Sequence, residues 1–167
     1  MNVSGVNYCD TANGNGCRVS VFVSGCSLHC KGCHNKEAWD PNYGILWDGH
    51  TLHRVLSALA GPYMSGLSVL GGEPFEDYNR VQVGILCAAV KGMYPSKDVW
   101  LWTGHTYDQV KYFSHVLDYV DVLITGPFIE RKKCNGRYYG SSNQQIYRKS
   151  ATGTFEIVQA DALSSED

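Results

Sequence analysis

One stretch of the sequence decides the fold, and it reads Arg18-Val19-Ser20-Val21-Phe22-Val23-Ser24-Gly25-Cys26-Ser27-Leu28-His29-Cys30-Lys31-Gly32-Cys33. It begins with mostly β-branched or apolar residues and then reaches a serine-glycine pair, which is typical of a strand that enters a loop. The loop carries Cys26, Cys30 and Cys33 in a C-x3-C-x2-C spacing. Three thiolates on one short loop can converge on a single metal centre, so a metal site is predicted at the end of this strand.

The cysteine loop admits two kinds of metal site. Structural zinc takes four protein ligands and an ordinary 4Fe-4S cluster takes four cysteines, so three cysteines leave one iron open for a substrate. His29 or His34 could instead complete a zinc site of three cysteines and one histidine. A second C-x2-C pair is missing, which disfavours zinc. The other four cysteines stand singly, and each is expected to be a small buried residue or an unpaired thiol: Cys9, Cys17, Cys87 and Cys134.

Length and charge limit the class of protein. A chain of 167 residues with 44% hydrophobic residues is long enough for one core, so residues 1–167 are expected to form a single domain with a flexible tail over about 160–167. The formal net charge of -2 gives no reason to expect a nucleic acid or a membrane surface as partner. Binding specificity must therefore come from local sites.

No signal peptide pattern is present near the N-terminus, and no segment approaches the roughly 18 apolar residues of a membrane span. A soluble cytoplasmic protein is expected. An odd number of cysteines, seven, then indicates reduced thiols that serve metal binding or redox chemistry.

Hydrophobic periodicity beyond the cysteine loop alternates between helix and strand. A helix is predicted from Leu52 to Leu59 behind Thr51 as N-cap, another is marked by Val81, Ile85 and Ala88 up to about Met93, and a third follows a capping box of Thr106 and Gln109 and carries Val110, Phe113 and Leu117. Further strands are predicted at 67–70, 99–102 and 120–124. Strands separated by helices usually run parallel, which places all their carboxyl ends at one edge of the sheet.

Three loops at that edge carry unusual residues, namely Cys26–Cys33, Gly71-Gly72-Glu73-Pro74 and Thr103-Gly104-His105. The glycine pair allows close approach of a ligand, so a side chain at Gly72 is expected to enter the ligand's space and weaken binding without loss of the metal centre. Glu73 could hold the ammonium group of an amino-acid ligand, or it could be an acid favoured at a helix N-terminus. The role of His105 stays open.

Several segments together carry a family resemblance: 13–16, 22–26, 32–35 with Trp39, 71–74, 98–104, 120–124 and Gly140-Ser141-Ser142-Asn143-Gln144. Over most of its length the chain resembles the radical S-adenosylmethionine superfamily, and within it the small activating proteins of the anaerobic (class III) ribonucleoside-triphosphate reductase. Three residues depart from that family's usual pattern. Glu73 and Phe75 stand where the family has Asp and Leu, and His34 stands where it has Tyr.

The resemblance implies an α/β fold, an incomplete (β/α) barrel of parallel strands of the radical SAM type. It implies a 4Fe-4S cluster on Cys26, Cys30 and Cys33, whose open iron chelates S-adenosylmethionine. The implied contacts are Gly32, Cys33 and His34 on the adenine side, Gly71, Gly72 and Glu73 at the methionyl group, and Thr103 and Gly104 at the ribose or adenine. No catalytic side chain is implied, because the cluster and the adenosyl radical carry the chemistry.

The implied activity is the formation of a glycyl radical on the large catalytic subunit of the reductase, with an electron donor such as flavodoxin. A full eight-fold barrel takes about 250 residues, so this shorter chain is expected to leave an open side that admits a protein loop. Arg137, Tyr138 and Tyr139 fit either a partner surface or ordinary packing. The alternatives are activation of another glycyl radical enzyme such as pyruvate formate-lyase, modification of a small metabolite, or a non-enzymatic zinc or iron-sulfur module.

Overall fold

The computed structural model describes residues 1–163. In this part of the chain the strands are β1 (Asn2–Asp10), β2 (Cys17–Val23), β3 (Ile45–Leu46), β4 (Met64–Gly71), β5 (Asp98–Trp102), β6 (Val122–Thr125), β7 (Gln145–Lys149) and β8 (Phe155–Val158). The α-helices are α1 (Gly49–Leu59), α2 (Arg80–Met93), α3 (Tyr107–Val110) and α4 (Ser114–Leu117). Single 3-10 turns lie at Glu37–Trp39, Glu130–Lys132 and Ala160–Leu163.

The strands form one open sheet in the order β3-β1-β2-β4-β5-β6-β7-β8. Its centre, β2-β4-β5-β6, is parallel, which confirms the α/β class predicted from the sequence. All four strands predicted from the sequence belong to this parallel centre, but the expected barrel of parallel strands did not include the edge strands β1, β3, β7 and β8, which pair antiparallel. A parallel crossover needs a dozen or more residues, and the connections 11–16 and 150–154 are too short for one.

The helices cover one face of the sheet, where the larger hydrophobic cluster lies. Because side chains alternate along a strand, Val99 and Leu101 point into that cluster, whereas Trp100 belongs to a second cluster on the opposite face. The second cluster also contains Tyr138 and Leu163, which come from segments outside the helices. The opposite face is therefore covered by irregular chain, and it is the face that holds the cavity described below.

The predicted helices exist, with three differences in detail. The N-cap of α1 is Asp48, whose carboxylate accepts the Thr51 N–H at 2.7 Å, rather than Thr51. In α2 the predicted residues Val81 and Ile85 are exposed, and the buried face carries Val83, Leu86, Cys87 and Val90. The Thr106 and Gln109 capping box is confirmed, but the helix behind it breaks at 111–113 into α3 and α4.

Arg18 fixes the order of the central strands. Its guanidinium is fully buried and donates to Ser68 Oγ at 2.8 Å, to the Leu67 carbonyl at 2.7 Å and to Asp98 Oδ1 at 2.6 Å. These acceptors belong to β4 and β5, so one side chain of β2 joins three neighbouring strands. A buried cation is tolerated only when it is paired and hydrogen-bonded in this way.

The single cysteines differ from their prediction in part. Cys9 and Cys17, expected as unpaired residues, form a disulfide between β1 and β2, where their Cα atoms are 5.5 Å apart. This Cα separation lies within the range that a disulfide requires. Cys87 is fully buried, as predicted, and burial raises the pKa of its thiol to about 12.

The end of the chain is ordered as far as it is described. Ala160–Leu163, part of the tail predicted as flexible, forms a 3-10 turn with Leu163 buried against the second cluster. Residues 164–167 lie outside the described part of the chain. Within residues 1–163, no helix is long and apolar enough to cross a membrane.

Candidate metal and ligand cavity

The three loops predicted to meet do meet, at the carboxyl edge of β2, β4 and β5. Together they line a cavity of about 720 Å³ on the face of the sheet that the helices leave uncovered. Phe22, Leu70 and Trp102 form its floor, each from a different central strand. The segment 126–144 between β6 and β7 supplies the opposite wall.

All ten residues predicted for the site line this one cavity: Cys26, Cys30, Gly32, Cys33, His34, Gly71, Gly72, Glu73, Thr103 and Gly104. The three cysteines of the loop are unpaired and half-buried. Within residues 1–163 no three potential ligand side chains are already close enough to hold a metal ion.

The backbone of the cysteine loop is held at its start by the 3-10 turn Glu37–Trp39. Gly25 N–H donates to the Ala38 carbonyl at 2.8 Å, and Cys26 N–H donates to the Trp39 carbonyl at 3.1 Å. The loop then turns sharply through His29 and Gly32, whose φ angles are 45° and 77°. Burial raises the pKa of the Cys26 thiol to about 11, so binding a metal there must displace a tightly held proton.

The two histidines considered for a zinc site point to different places. The His29 ring packs on Trp39 with the ring centroids 4.5 Å apart, and His29 is not a lining residue. His34 lines the cavity next to Cys33. His105 also does not line the cavity, and its backbone N–H donates to Thr103 Oγ1 at 3.1 Å.

Gly72 is required for a different reason from the one predicted. A Cβ atom there would lie 2.4 Å from the Gly25 carbonyl oxygen and 3.1 Å from that of Ala38. The closest neighbours are thus the backbone of the cysteine loop and its support, so the expectation that a side chain would enter only the ligand's space is wrong. Gly72 allows the glycine loop to pack against the residue before Cys26, and Glu73 N–H donates to Gly25 O at 2.8 Å.

Glu73 is fully buried and joins two loops. Its carboxylate accepts the Thr103 hydroxyl and the Gly104 N–H, both at 2.8 Å. Burial raises the pKa of Glu73, which these hydrogen bonds and the nearby His105 lower in part. Since α2 begins only at Arg80, the interpretation of Glu73 as a helix N-terminal acid is wrong.

Sequence reasoning missed the side chains that tie these loops together. Asn79 is fully buried and its amide donates to Ser24 O at 2.9 Å and to Glu73 O at 3.0 Å. Tyr78 lies over Gly25, where an added Cβ would meet its ring at 2.4 Å. Nothing in the local sequence marks Asn79, because its partners belong to loops that only the fold brings together.

The wall segment 126–144 is held to the rest of the chain at Tyr138 and is closed on itself by Gln144. Trp102 Nε1–H donates to the Tyr138 carbonyl at 2.8 Å, and the Tyr138 hydroxyl bonds to Asn15. Gln144, from the Gly-Ser-Ser-Asn-Gln stretch, donates to Gly126 O at 3.1 Å and accepts the Gly140 N–H at 2.9 Å. The segment also brings Cys134, an unpaired half-buried thiol, to the cavity.

Known proteins match this chain over most of its length. Residues 12–147 match a family described as a 4Fe-4S single cluster domain. An anaerobic ribonucleoside-triphosphate reductase-activating protein of Enterobacteria phage T4 is 37% identical over 147 residues, 88% of this chain and 94% of the relative. This chain belongs to the family of anaerobic ribonucleoside-triphosphate reductase-activating proteins.

Bacterial members of this family give the same picture. The activating protein of Haemophilus influenzae is 36% identical over 143 residues, which cover 83% of this chain and 92% of the relative. That of Escherichia coli K12 is 32% identical over 142 residues with the same coverage. The family predicted from the motifs is therefore confirmed, and so is the iron-sulfur class of the domain.

Proposed function

We propose that this chain activates the large subunit of an anaerobic ribonucleoside-triphosphate reductase by cleaving S-adenosylmethionine reductively at a 4Fe-4S cluster. One observation carries the proposal. The cysteine loop, the Gly71–Glu73 loop and the Thr103–Gly104 loop line a single cavity in a member of this family. The nucleoside and amino-acid parts of one ligand can then be held beside one metal centre.

The residues that line the cavity fit both a 4Fe-4S cluster and S-adenosylmethionine. A cavity of about 720 Å³ lies in the range of small-molecule sites. Cys26, Cys30 and Cys33 are free thiols on its wall and would hold the cluster with one iron open. The backbone at Gly71 and Gly72 would face the methionyl group. Contacts to the nucleoside would come from Gly32, Cys33 and His34 on one side and from Thr103 and Gly104 on the other.

The chemistry supplied at this site, once both groups are bound, is one-electron cleavage of the sulfonium and removal of a hydrogen atom from a glycine of the reductase. The chain's own residues position the bound ligand and shield it from water. Glu73 fixes the Thr103–Gly104 loop against the glycine loop through its hydrogen bonds to the Thr103 hydroxyl and the Gly104 N–H. Nothing in this scheme requires a side chain to act as acid or base.

The reductase has a structural role in the proposed reaction. The sheet is open, and the cavity is bounded on one side by the irregular segment 126–144. A radical needs a water-excluding wall, which a partner would complete. We take the parallel centre of the sheet as an incomplete (β/α) barrel of the radical SAM type, residues 1–167 as one domain, the cytoplasm as its location, and flavodoxin as a suitable electron donor.

The test is anaerobic reaction of the reconstituted protein with S-adenosylmethionine, a reductant and the matching large subunit. Formation of 5′-deoxyadenosine should be slow with the activating protein alone and faster with the large subunit. A glycine-centred doublet should appear by electron paramagnetic resonance. Changing the acceptor glycine to Ala should remove the doublet while the two proteins still associate. A doublet on pyruvate formate-lyase instead, or a product on a small molecule, would refute the proposed target.

A further inference from the structure

Five basic side chains, here called the basic rim, belong to residues that line the cavity or lie within two positions of such residues in the sequence. Its members are Lys31, Arg131, Lys132, Lys133 and Arg137, all of them exposed. Lys133 and Arg137 line the cavity itself. Within 130–137 there are four basic residues and one acidic residue, whereas the whole chain has a net charge of -2. This short segment is therefore positively charged in a chain whose net charge is negative.

The basic rim lies directly against the outside of the cysteine loop. Lys31, between Cys30 and Cys33, has its ammonium nitrogen 3.4 Å from the Glu130 carboxylate. A Cβ atom at Gly32 would lie 2.9 Å from Glu130 Oε1, so the turn Glu130–Lys132 packs on this loop. The Lys31 side chain is 91% exposed. A protein that docks at Lys31, Arg131 and Lys132, which do not line the cavity, therefore comes close to the cysteine loop without entering the cavity.

We propose that the basic rim is the docking surface for an acidic one-electron carrier protein. This inference rests on the proposed function, which needs one electron for each cleavage. The transfer oxidises the carrier by one electron and reduces the metal centre by one electron, with no bond made or broken. The carrier's negative surface supplies the charge complementarity that steers such encounters.

The charge and the place of the basic rim favour a carrier over the reductase as occupant. Electron-transfer encounters use small, weak interfaces, whereas lasting subunit contacts bury larger and more apolar surfaces. The target glycine must enter the cavity, while an electron has only to reach the cysteine loop. Two carboxylates contact the cysteine loop. Glu76 accepts a hydrogen bond from Ser27 N–H at 2.7 Å, and Glu130 is the carboxylate that pairs with Lys31.

The test reverses charge at two rim residues that do not line the cavity, Arg131→Glu with Lys132→Glu. The matched control is Arg54→Glu with Lys111→Glu, which changes the net charge by the same amount away from the cavity. Reduction of the reconstituted cluster is followed by anaerobic stopped-flow absorbance. The reductants are reduced flavodoxin as the acidic carrier and photoreduced deazaflavin as a small neutral one.

We expect the rim variant to be reduced by flavodoxin about tenfold more slowly at low salt, with the difference shrinking to about twofold at ~0.5 M salt. Its reduction by deazaflavin and its deazaflavin-driven glycyl radical yield should match the control. Equal flavodoxin rates in the rim variant and the control would overturn the proposal. So would a loss of glycyl radical with deazaflavin alone, which would assign the rim to the reductase. If the wild type makes no glycyl radical with either reductant, the proposed function fails and the docking result is judged on reduction rates alone.

Discussion

Replacing Gly72 by alanine tests how the two central loops depend on each other. The new Cβ would lie 2.4 Å from Gly25 O, about 1 Å inside an ordinary contact, and 3.1 Å from Ala38 O. Both neighbouring atoms belong to the backbone, which cannot move aside as a flexible side chain could. Overpacking of this size costs about 1–3 kcal/mol. Stretching the bonds from Gly72 N–H to Val23 O and from Glu73 N–H to Gly25 O adds about 1 kcal/mol. We therefore expect a loss of about 2–4 kcal/mol in the free energy of unfolding.

The measurements are thermal unfolding of the cluster-free protein by circular dichroism and iron content after anaerobic reconstitution. A loss of 2–4 kcal/mol corresponds to a fall of about 4–16 °C in Tm for a domain of this size. Because Gly25 precedes Cys26, iron content should fall as well. Gly92→Ala is the control, since no atom lies within 4 Å of its Cβ position and alanine favours a helix by about 1 kcal/mol. If Gly72→Ala keeps its Tm and its iron and loses only affinity for S-adenosylmethionine, the Cβ points into the ligand's space and our reasoning fails.

Three further predictions concern the cavity wall. Cys30→Ala should abolish a cluster of about four irons and four sulfides, whereas the control Cys134→Ala should keep it. Iron and sulfide analysis measures both variants, and full iron content in Cys30→Ala would contradict the assignment of this cysteine as a ligand. Burial raises the folded-state pKa of Glu73 above 4.5, so its stabilising contribution is complete below that pH and is lost as the pH rises. Urea unfolding from pH 4 to 8 should therefore show Glu73→Gln gaining stability relative to wild type, and a constant difference would refute the sign. Trp102→Phe removes the hydrogen bond from the indole N–H to Tyr138 O, worth about 1 kcal/mol, so trypsin should cleave the wall segment at 131–133 about fivefold faster. An unchanged cleavage rate would show that this hydrogen bond does not hold the wall segment in place.

Local sequence was sufficient to predict most helices and central strands and to place the candidate site at the edge of the sheet. The strand before Cys26, the glycine pair after β4 and the Thr106 capping box are all governed by interactions over a few residues. Alternation of strands and helices then required parallel pairing in the centre of the sheet, which brought three distant loops to one edge. The motifs also identified the family, because spacing within a loop is a property of sequence alone.

Pairing between distant segments was decided only in the folded chain. The antiparallel edges, the contact of Gly72 with Gly25, the hydrogen bonds of Glu73 to the Thr103–Gly104 loop and the two bonds of Asn79 join residues that no periodicity relates. Such contacts depend on strand order and register, and a shift of one residue would move each side chain to the opposite face. The sequence determines which residues can bind the metal centre and its ligand, whereas the tertiary structure decides which other residues hold those loops in place.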